Sequence, residues 1–280
     1  DQVILALVKQ NFIVKALTGC CDILARKDSR ILLIKVLEDA NAITPDAATE
    51  LIKTASAIHA APLIISEKAT TKLRDDVIYA RYSIPTINLA TFHASLNDIP
   101  LFMISKQSGV MVQLQGAKVK ECREKEDISS NKLSRHLSIS KRMLIRYEKE
   151  DAEISAQRAL KLYQAFGNQV FKRIEIFSTQ PEQPQSLSSD ISFKYQDLGF
   201  TVTETKKVPF DVVAHKEQTL ILTKVGDHIN HDLVNISHAI GANDLAIVTK
   251  KKQKEIPSLT KEEFLEFEKA AELIKFIQEY

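Results

Sequence analysis

One stretch of sequence occurs twice in this chain, and it constrains the fold more than any other feature. Cys21 to Val36 reads CDILARKDSRILLIKV, and Phe210 to Val225 reads FDVVAHKEQTLILTKV. In both, an aspartate is followed 13 residues later by a lysine. Asp22, Ala25, Lys27, Leu33, Lys35 and Val36 recur as Asp211, Ala214, Lys216, Leu222, Lys224 and Val225. Apolar runs on either side of a short polar stretch predict two strands and a tight turn in each copy. The likeness resumes downstream, where SIPTINLATF (83–92) matches EIPSLTKEEF (255–264) in its Ile-Pro, its hydroxyl residue and its closing Phe. Between these landmarks, DAATELIKTASAIHAA and HDLVNISHAIGA predict a helix, and PLIIS and LAIVT a further strand. The order strand, strand, helix, strand in both copies implies an internal repeat of one α/β unit.

Length and composition fit a soluble globular protein of two or three domains, with 280 residues, 44% apolar and 26% charged. No apolar run approaches the roughly 20 residues of a membrane span, and no basic-then-apolar leader opens the chain. No membrane partner is therefore expected, and the chain is read as cytoplasmic. It begins at Asp1 without an initiator Met, so a few residues are expected to precede it. Cys20, Cys21 and Cys122 lack the number for a disulfide framework and the spacing for zinc, so buried reduced thiols are expected.

Charge is unevenly distributed. Residues 117–173 carry a net +6, whereas 1–108 carry +1 and 174–280 carry −5. A basic block between neutral and acidic ones implies an anionic partner for that block, phosphate being the usual one. Within it, residues 118–167 predict four short amphipathic helices, with apolar positions at helical spacing: Val119 and Cys122, Leu133 and Leu137, Leu144 and Tyr147, Ala159, Leu160 and Tyr163. Ser129 and Ser140 stand where N-caps are needed, before SNKLSRHL and KRMLIRYE.

The segment ISSNKLSRHLSISKRMLIRYEKE resembles the repressor/Cro-type helix-turn-helix domain, whose pattern is LSxxxLAxxLGVSxxTISRYExG. Ser134 replaces the usual helix-packing Ala, and Ser138 replaces the Gly of the turn. The resemblance implies double-stranded DNA as partner, with Ser129, Ser130, Asn131 and Ser140 near phosphates. Lys141, Arg142 and Arg146 would then enter the major groove from the recognition helix. Arg142 and Arg146, four residues apart, share a face, and Arg is the common bidentate reader of guanine.

The repeats resemble the restriction-endonuclease-like frame, in which an Asp precedes a strand carrying (Asp/Glu)-x-Lys. Asp22 and Lys35, and Asp211 and Lys224, fill that frame, but its second acid is replaced by Leu33 and Leu222. One carboxylate holds Mg²⁺ poorly, so no catalytic residue, metal or cofactor is expected. The Asp and Lys residues are then a vestigial nuclease frame, kept as inward-facing ion pairs. Migration of the acid to Glu38, Asp39 or Asp227 is the alternative.

His215, His228, His231 and His238 lack ligand spacing and are assigned to surface or turns. The Lys250 to Lys254 run reads as a solvated loop, and the Pro/Gln/Ser-rich stretch from Ser178 to Ser189 as a linker.

Almost the full chain resembles an archaeal family of HTH-type transcriptional regulatory proteins. The expected fold class is α/β plus all-α, with two restriction-endonuclease-like α/β repeats flanking a repressor/Cro-type helix-turn-helix domain. The expected domains are 1–108, a degraded endonuclease-like domain; 109–175, the helix-turn-helix domain; 176–190, a linker; and 191–280, the second repeat with a C-terminal helix. The resemblance implies a sequence-specific, nucleoid-associated regulator. A homodimer on a palindromic operator is expected, because one recognition helix reads only a few base pairs. A nucleic-acid-processing nuclease or a ligand-responsive sensor with a pocket between the repeats are the rival readings. Two arrangements are open for the repeats: pairing within one chain, or across a dimer. The terminal KEEFLEFEKAAELIKFI reads as one amphipathic helix closing either interface, with Phe264, Phe267, Ala271 and Ile274 on its apolar face.

Overall fold

The computed structural model describes residues 1–178, 187–227, 231–249 and 256–279. Most of the linker, the Lys250 to Lys254 run, His228 and the side chain of His231 fall outside the described residues.

The first copy runs α1 (Gln2–Lys9), β1 (Ile13–Ala16), β2 (Ile23–Lys27), β3 (Arg30–Asp39), α2 (Pro45–Ala57) and β4 (Ala61–Ala69). β1, β2 and β3 form an antiparallel meander, with Val14 opposite Ala25 and Leu24 opposite Leu33. The polar turn foreseen between the strands is the connection from Lys27 to Arg30, where Asp28 takes φ +53°. α2 starts at a Thr-Pro pair: the Thr44 hydroxyl accepts the Ala47 N–H at 3.2 Å, and Pro45 occupies the first turn, where no N–H is needed.

The middle of the chain holds β5 (Thr71–Lys72), β6 (Val77–Arg81), β7 (Ile84–Ile87), α3 (Leu89–Leu96), β8 (Met103–Lys106) and β9 (Gly109–Gln113). It continues through α4 (Gly116–Lys125), α5 (Ser130–His136), α6 (Lys141–Lys149), β10 (Glu153–Ser155) and α7 (Ala156–Phe166). β8 and β9 are an antiparallel hairpin, β10 pairs with β9, and β6 runs parallel to β8.

The second copy is α8 (Asp190–Asp197), β11 (Thr201–Glu204), β12 (Val212–Lys216), β13 (Thr219–Val225), α9 (His231–Ile240), β14 (Asn243–Val248), β15 (Ser258–Thr260), α10 (Lys261–Leu265) and α11 (Ala270–Gln278). Its sheet order is β11-β12-β13-β14-β15, antiparallel through β13 and parallel beyond. The repeat is longer than its sequence landmarks, since α1 and β1 correspond to α8 and β11. At its far end Asn88 and Thr260 both cap a helix, and Phe92 and Phe264 are both fully buried.

The chain condenses into two compact units, one of Asp1–Ser66, Arg81–Ile84 and Ile176–Tyr280, the other of Glu67–Ala80 and Pro85–Glu175. The first unit contains the second repeat and the first through Ser66, and it decides between the two arrangements: they pair within one chain. α2 of the first copy lies on β11 and β12 of the second, and α9 of the second lies on β1 and β2 of the first. Helix ends match as well. His59, just past α2, stacks edge-on against His215 of β12 at 4.9 Å, while Arg26 of β2 donates to the carbonyl of Ala239 near the end of α9 at 3.4 Å. Gly241 ends α9 with φ +70°, and a Cβ there would sit 2.8 Å from the Arg26 guanidinium. Gly19 permits a closer approach: its amide neighbour Cys20 donates to the Lys207 carbonyl at 3.0 Å, and a Cβ on Gly19 would collide with that oxygen. All three cysteines are buried and free.

Two expectations require correction. The C-terminal segment is two helices, α10 and α11, broken at 266–269. Phe264 and Leu273, both fully buried, lie nine residues apart and so on opposite faces of any continuous helix at about 3.6 residues per turn. The break lets both enter the core of the second repeat, beside Tyr195 and Leu245, and the segment caps that repeat's own sheet. The Asp–Lys pairs, in turn, are only partly buried, with side-chain exposures of 19% and 36% for Lys35 and Asp22 and 25% and 37% for Lys224 and Asp211. A lysine on an inner strand such as β3 or β13 reaches the surface because its long apolar stem carries the ammonium group outward.

Both aspartates do the same local work. One Asp22 oxygen accepts from Lys35 at 2.8 Å and the other from the Val36 N–H at 2.7 Å; Asp211 takes Lys224 at 3.1 Å and the Val225 N–H at 2.8 Å. Asp22→Ala should therefore cost about 2 kcal/mol, because a strand N–H loses its acceptor, and Lys35→Ala only about 1 kcal/mol. Urea unfolding of the two variants checks the order, and equal losses would refute the acceptor role.

Glu204 gives a pH-dependent counterpart. Burial resists ionisation of its carboxyl, but the hydroxyl and N–H of Ser188, the hydroxyl of Ser192 and the N–H of Ser189 outweigh that and hold its pKa at about 2. A depressed carboxylate stabilises the fold fully above about pH 5 and loses its contribution as pH falls through the folded value. Melting temperatures of wild type and Glu204→Gln should accordingly differ at pH 7 and converge toward pH 2.

Candidate nucleic-acid interface

The second unit is built on a core of Val112, Leu114, Val119, Cys122, Leu133, Leu137, Leu144, Tyr147, Ile154, Ala159, Leu162 and Phe166 with Val170 and Phe171. Each of α4 to α7 supplies residues at three- and four-residue spacing, as the sequence pattern predicts, but Leu160 and Tyr163 of α7 stay 57% and 55% exposed. The caps are in place: the Ser129 hydroxyl accepts the Lys132 N–H at 3.2 Å, and the Ser140 hydroxyl accepts the Met143 N–H at 3.1 Å. Each hydroxyl keeps its own proton to donate outward.

Between α5 and α6 the chain turns in four residues, 137–140. Ser138 takes φ +56°, the Ile139 N–H reaches back to the Ser134 carbonyl at 3.0 Å, and the Ser138 N–H to the Arg135 carbonyl at 3.1 Å. This is a Schellman termination, which glycine makes without steric cost. Lys161 of α7 ties the turn down, donating to the His136 carbonyl at 2.9 Å and the Ser138 hydroxyl at 3.3 Å. Ser134 fits the core because its hydroxyl is satisfied by the Asn131 carbonyl at 3.2 Å.

α4 and α6 are clasped by an ion pair that the sequence pattern did not disclose. Arg123 holds Glu148 with two parallel bonds, Nε to one oxygen at 2.6 Å and a terminal nitrogen to the other at 3.0 Å. It also donates to the Ile128 carbonyl at 3.2 Å. The side chains are 11% and 6% exposed, and the Glu148 hydrogen bond raises the Arg123 pKa. A forked pair of this kind fixes angle as well as distance. Gly116 is the second hidden requirement, since a Cβ there would lie 2.4 Å from the Tyr147 carbonyl oxygen.

So held, α6 turns Leu144 and Tyr147 inward and leaves Lys141, Arg142, Ile145, Arg146 and Lys149 exposed. Arg142, Ile145, Arg146 and Lys149 follow i, i+3, i+4, i+7 and form one stripe beside Ser140. Lys149 belongs to this stripe although the sequence reading stopped at Arg146; its spacing was the available signal. No carboxylate among the described residues pairs with Lys141, Arg142, Arg146 or Lys149. Ser129 and Asn131 are exposed at the start of α5 and Ser130 half-buried. Lys132 and Arg135 are also exposed on α5. Unpaired cations flanked by hydroxyl and amide donors suit a polyanion.

The nuclease frame presents a different picture. Leu33 and Leu222 are 1% and 0% exposed, as apolar core residues, and both oxygens of Asp22 and of Asp211 are already engaged. Of the alternative acids, Asp39 accepts the Asn41 N–H at 2.9 Å, Asp227 accepts the Thr249 N–H at 2.7 Å, and Glu38 is exposed. Among the described residues no three metal-ligating side chains converge. The residues present do not fit the divalent cation that the nuclease frame would require.

The second unit also contains an apolar cavity of about 450 Å³ between α7 and the β8–β9 hairpin, lined by Phe102, Met103, Leu160, Tyr163 and Phe171 among others, with Asp76 and Asn168 as polar points. No helix among the described residues is long and apolar enough to cross a membrane.

Residues 1–101 match the model of the PD-(D/E)XK superfamily domain. No solved structure matches the chain. Three archaeal relatives bear the name "Putative HTH-type transcriptional regulatory protein". The one from Archaeoglobus fulgidus is 30% identical, covering 100% of this chain and 96% of the relative. That from Methanocaldococcus jannaschii is 27% identical over 97% and 93%, and that from Thermococcus gammatolerans 26% over 93% and 88%. With 30% identity sustained from end to end, this chain belongs to the family of archaeal proteins that carry this name.

Proposed function

We propose that the protein is a transcriptional regulator that binds double-stranded DNA sequence-specifically through a repressor/Cro-type helix-turn-helix made of α5, the Ser138 turn and α6. The observation that carries this reading is the stripe of Arg142, Arg146 and Lys149 on α6, exposed and without carboxylate partners among the described residues. Like charges four residues apart on one helix repel, and a phosphate-lined groove removes that cost. The hydroxyls of Ser129 and Ser140, with Ser130 and Asn131, supply donors at the starts of α5 and α6, where helix dipoles also favour phosphate. Relatives named as HTH-type regulators support the same reading.

The protein acts as a homodimer on a palindromic operator, since a single helix spans too few base pairs for a unique site and paired helices about 34 Å apart extend it. The paired repeats, 1–66 together with the region beyond the linker, serve as scaffold, the second being endonuclease-like by its correspondence with the first.

Arg142→Ala or Arg146→Ala should cost about 1–3 kcal/mol on a selected site and relax the preferred sequence. Lys132→Ala or Arg135→Ala should weaken binding to all sequences alike and reduce the salt slope by about one charge each. Selected-site binding at two salt concentrations compares them; an unchanged preferred sequence in both arginine variants would sink the assignment of α6.

The PD-(D/E)XK match makes nucleic-acid cleavage the rival. With Leu33 and Leu222 in place of the second acid, purified protein should leave plasmid, single-stranded and branched DNA intact in Mg²⁺ or Mn²⁺. Cleavage abolished by Lys35→Ala or Lys224→Ala would establish the nuclease instead.

A further inference from the structure

The stripe on α6 contains one residue that electrostatics does not explain. Ile145 is 39% exposed, and its helix neighbours Leu144 and Tyr147 enter the core while it does not. A lone exposed isoleucine is ordinary on a protein surface. This one lies three residues from Arg142, beside Arg146 and four from Lys149, in the middle of a cationic face and within the shallow concavity those side chains form with Ser140 and Met143. In the free protein an isoleucine there gains no burial and forms helix less well than lysine, glutamine or glutamate would.

We propose that Ile145 is a specificity-determining residue that packs on the 5-methyl group of a thymine in the major groove. The inference rests on α6 being the recognition helix. The major groove offers a single apolar feature, the thymine methyl; every other marker of base identity there is a hydrogen-bond donor or acceptor. Along a helix rising about 1.5 Å per residue, Arg142 and Arg146 are separated by about 6 Å, close to two base-pair steps of about 3.4 Å. Ile145 lies between them in height and on the same face. The half-site it fits contains guanines read by the arginines, with a thymine-bearing pair between or beside them. Branching at Cβ holds the Ile145 methyl groups in few rotamers, so ordering them against a base costs little entropy.

The test uses the full-length protein and its own selected duplex. Each thymine is replaced in turn by uracil, which removes the methyl group and leaves every hydrogen-bonding atom in place. Affinities are then measured for wild type, Ile145→Ala and Ile145→Val, with melting temperatures to confirm that these surface changes leave the fold intact. Wild type should lose about fourfold in affinity at one thymine per half-site, the worth of one buried methyl. Ile145→Ala should bind the thymine and uracil duplexes equally, and Ile145→Val should retain part of the difference. A preferred site that depends on Arg142 and Arg146 but shows no methyl effect, or an effect that persists undiminished in Ile145→Ala, overturns this inference and leaves the regulator reading standing. Failure to select any site removes both.

Discussion

Each repeat of this protein has a sheet face that its own helices do not cover, and the fold depends on how that face is closed. α2 of one copy lies on the first two strands of the other, and α9 returns the same contact. Unsatisfied apolar strand surface is the strongest drive toward association in an α/β half of this size, and here the chain supplies both partners. The pairing is reciprocal down to single residues, with His59 meeting His215 where Arg26 meets the end of α9. A chain in which matching residues such as Asp22 and Asp211 lie 189 positions apart thus brings the copies together in one compact unit, and most of the intervening residues form another.

The repeat was legible where selection of residue type is narrow. In both copies the aspartate accepts from a strand N–H with one oxygen and from the lysine with the other, and this shared geometry accompanies the shared Asp–Lys spacing. Its first helix was not legible because the core there changed as a pair. Leu7 and Ile34, both fully buried, are matched in the second copy by Tyr195 and Thr223, whose hydroxyls bond at 2.7 Å. Burial pushes the Tyr195 pKa up and keeps that hydroxyl protonated. Two polar groups that satisfy each other can replace two apolar ones at little net cost, but the exchange erases identity between the copies.

The helical region divides the same way. Caps, apolar spacing and the unusual Ser138 turn are local and could be read directly. The Arg123–Glu148 clasp joins residues 25 positions apart, each of which, read alone, belongs to a charged surface. Gly116 gave no signal, because its need arises from the Tyr147 carbonyl of another helix. In the C-terminal segment Phe264, Phe267, Ala271 and Ile274 recur as one continuous stripe, but the buried Phe264 and Leu273 do not share a face. Local grammar predicts elements well; it does not predict which charged or small residues are consumed in joining them.

The replacement of the nuclease acid by leucine belongs to this same balance. At Leu33 and Leu222 the side chain is part of the apolar interior, and each lies two residues before a lysine already committed to a neighbouring aspartate. A carboxylate restored at either position would be buried close to a second carboxylate, with the local lysine engaged, and like charges that close do not both ionise at modest cost. Leucine at these two positions keeps the middle of β3 and of β13 apolar.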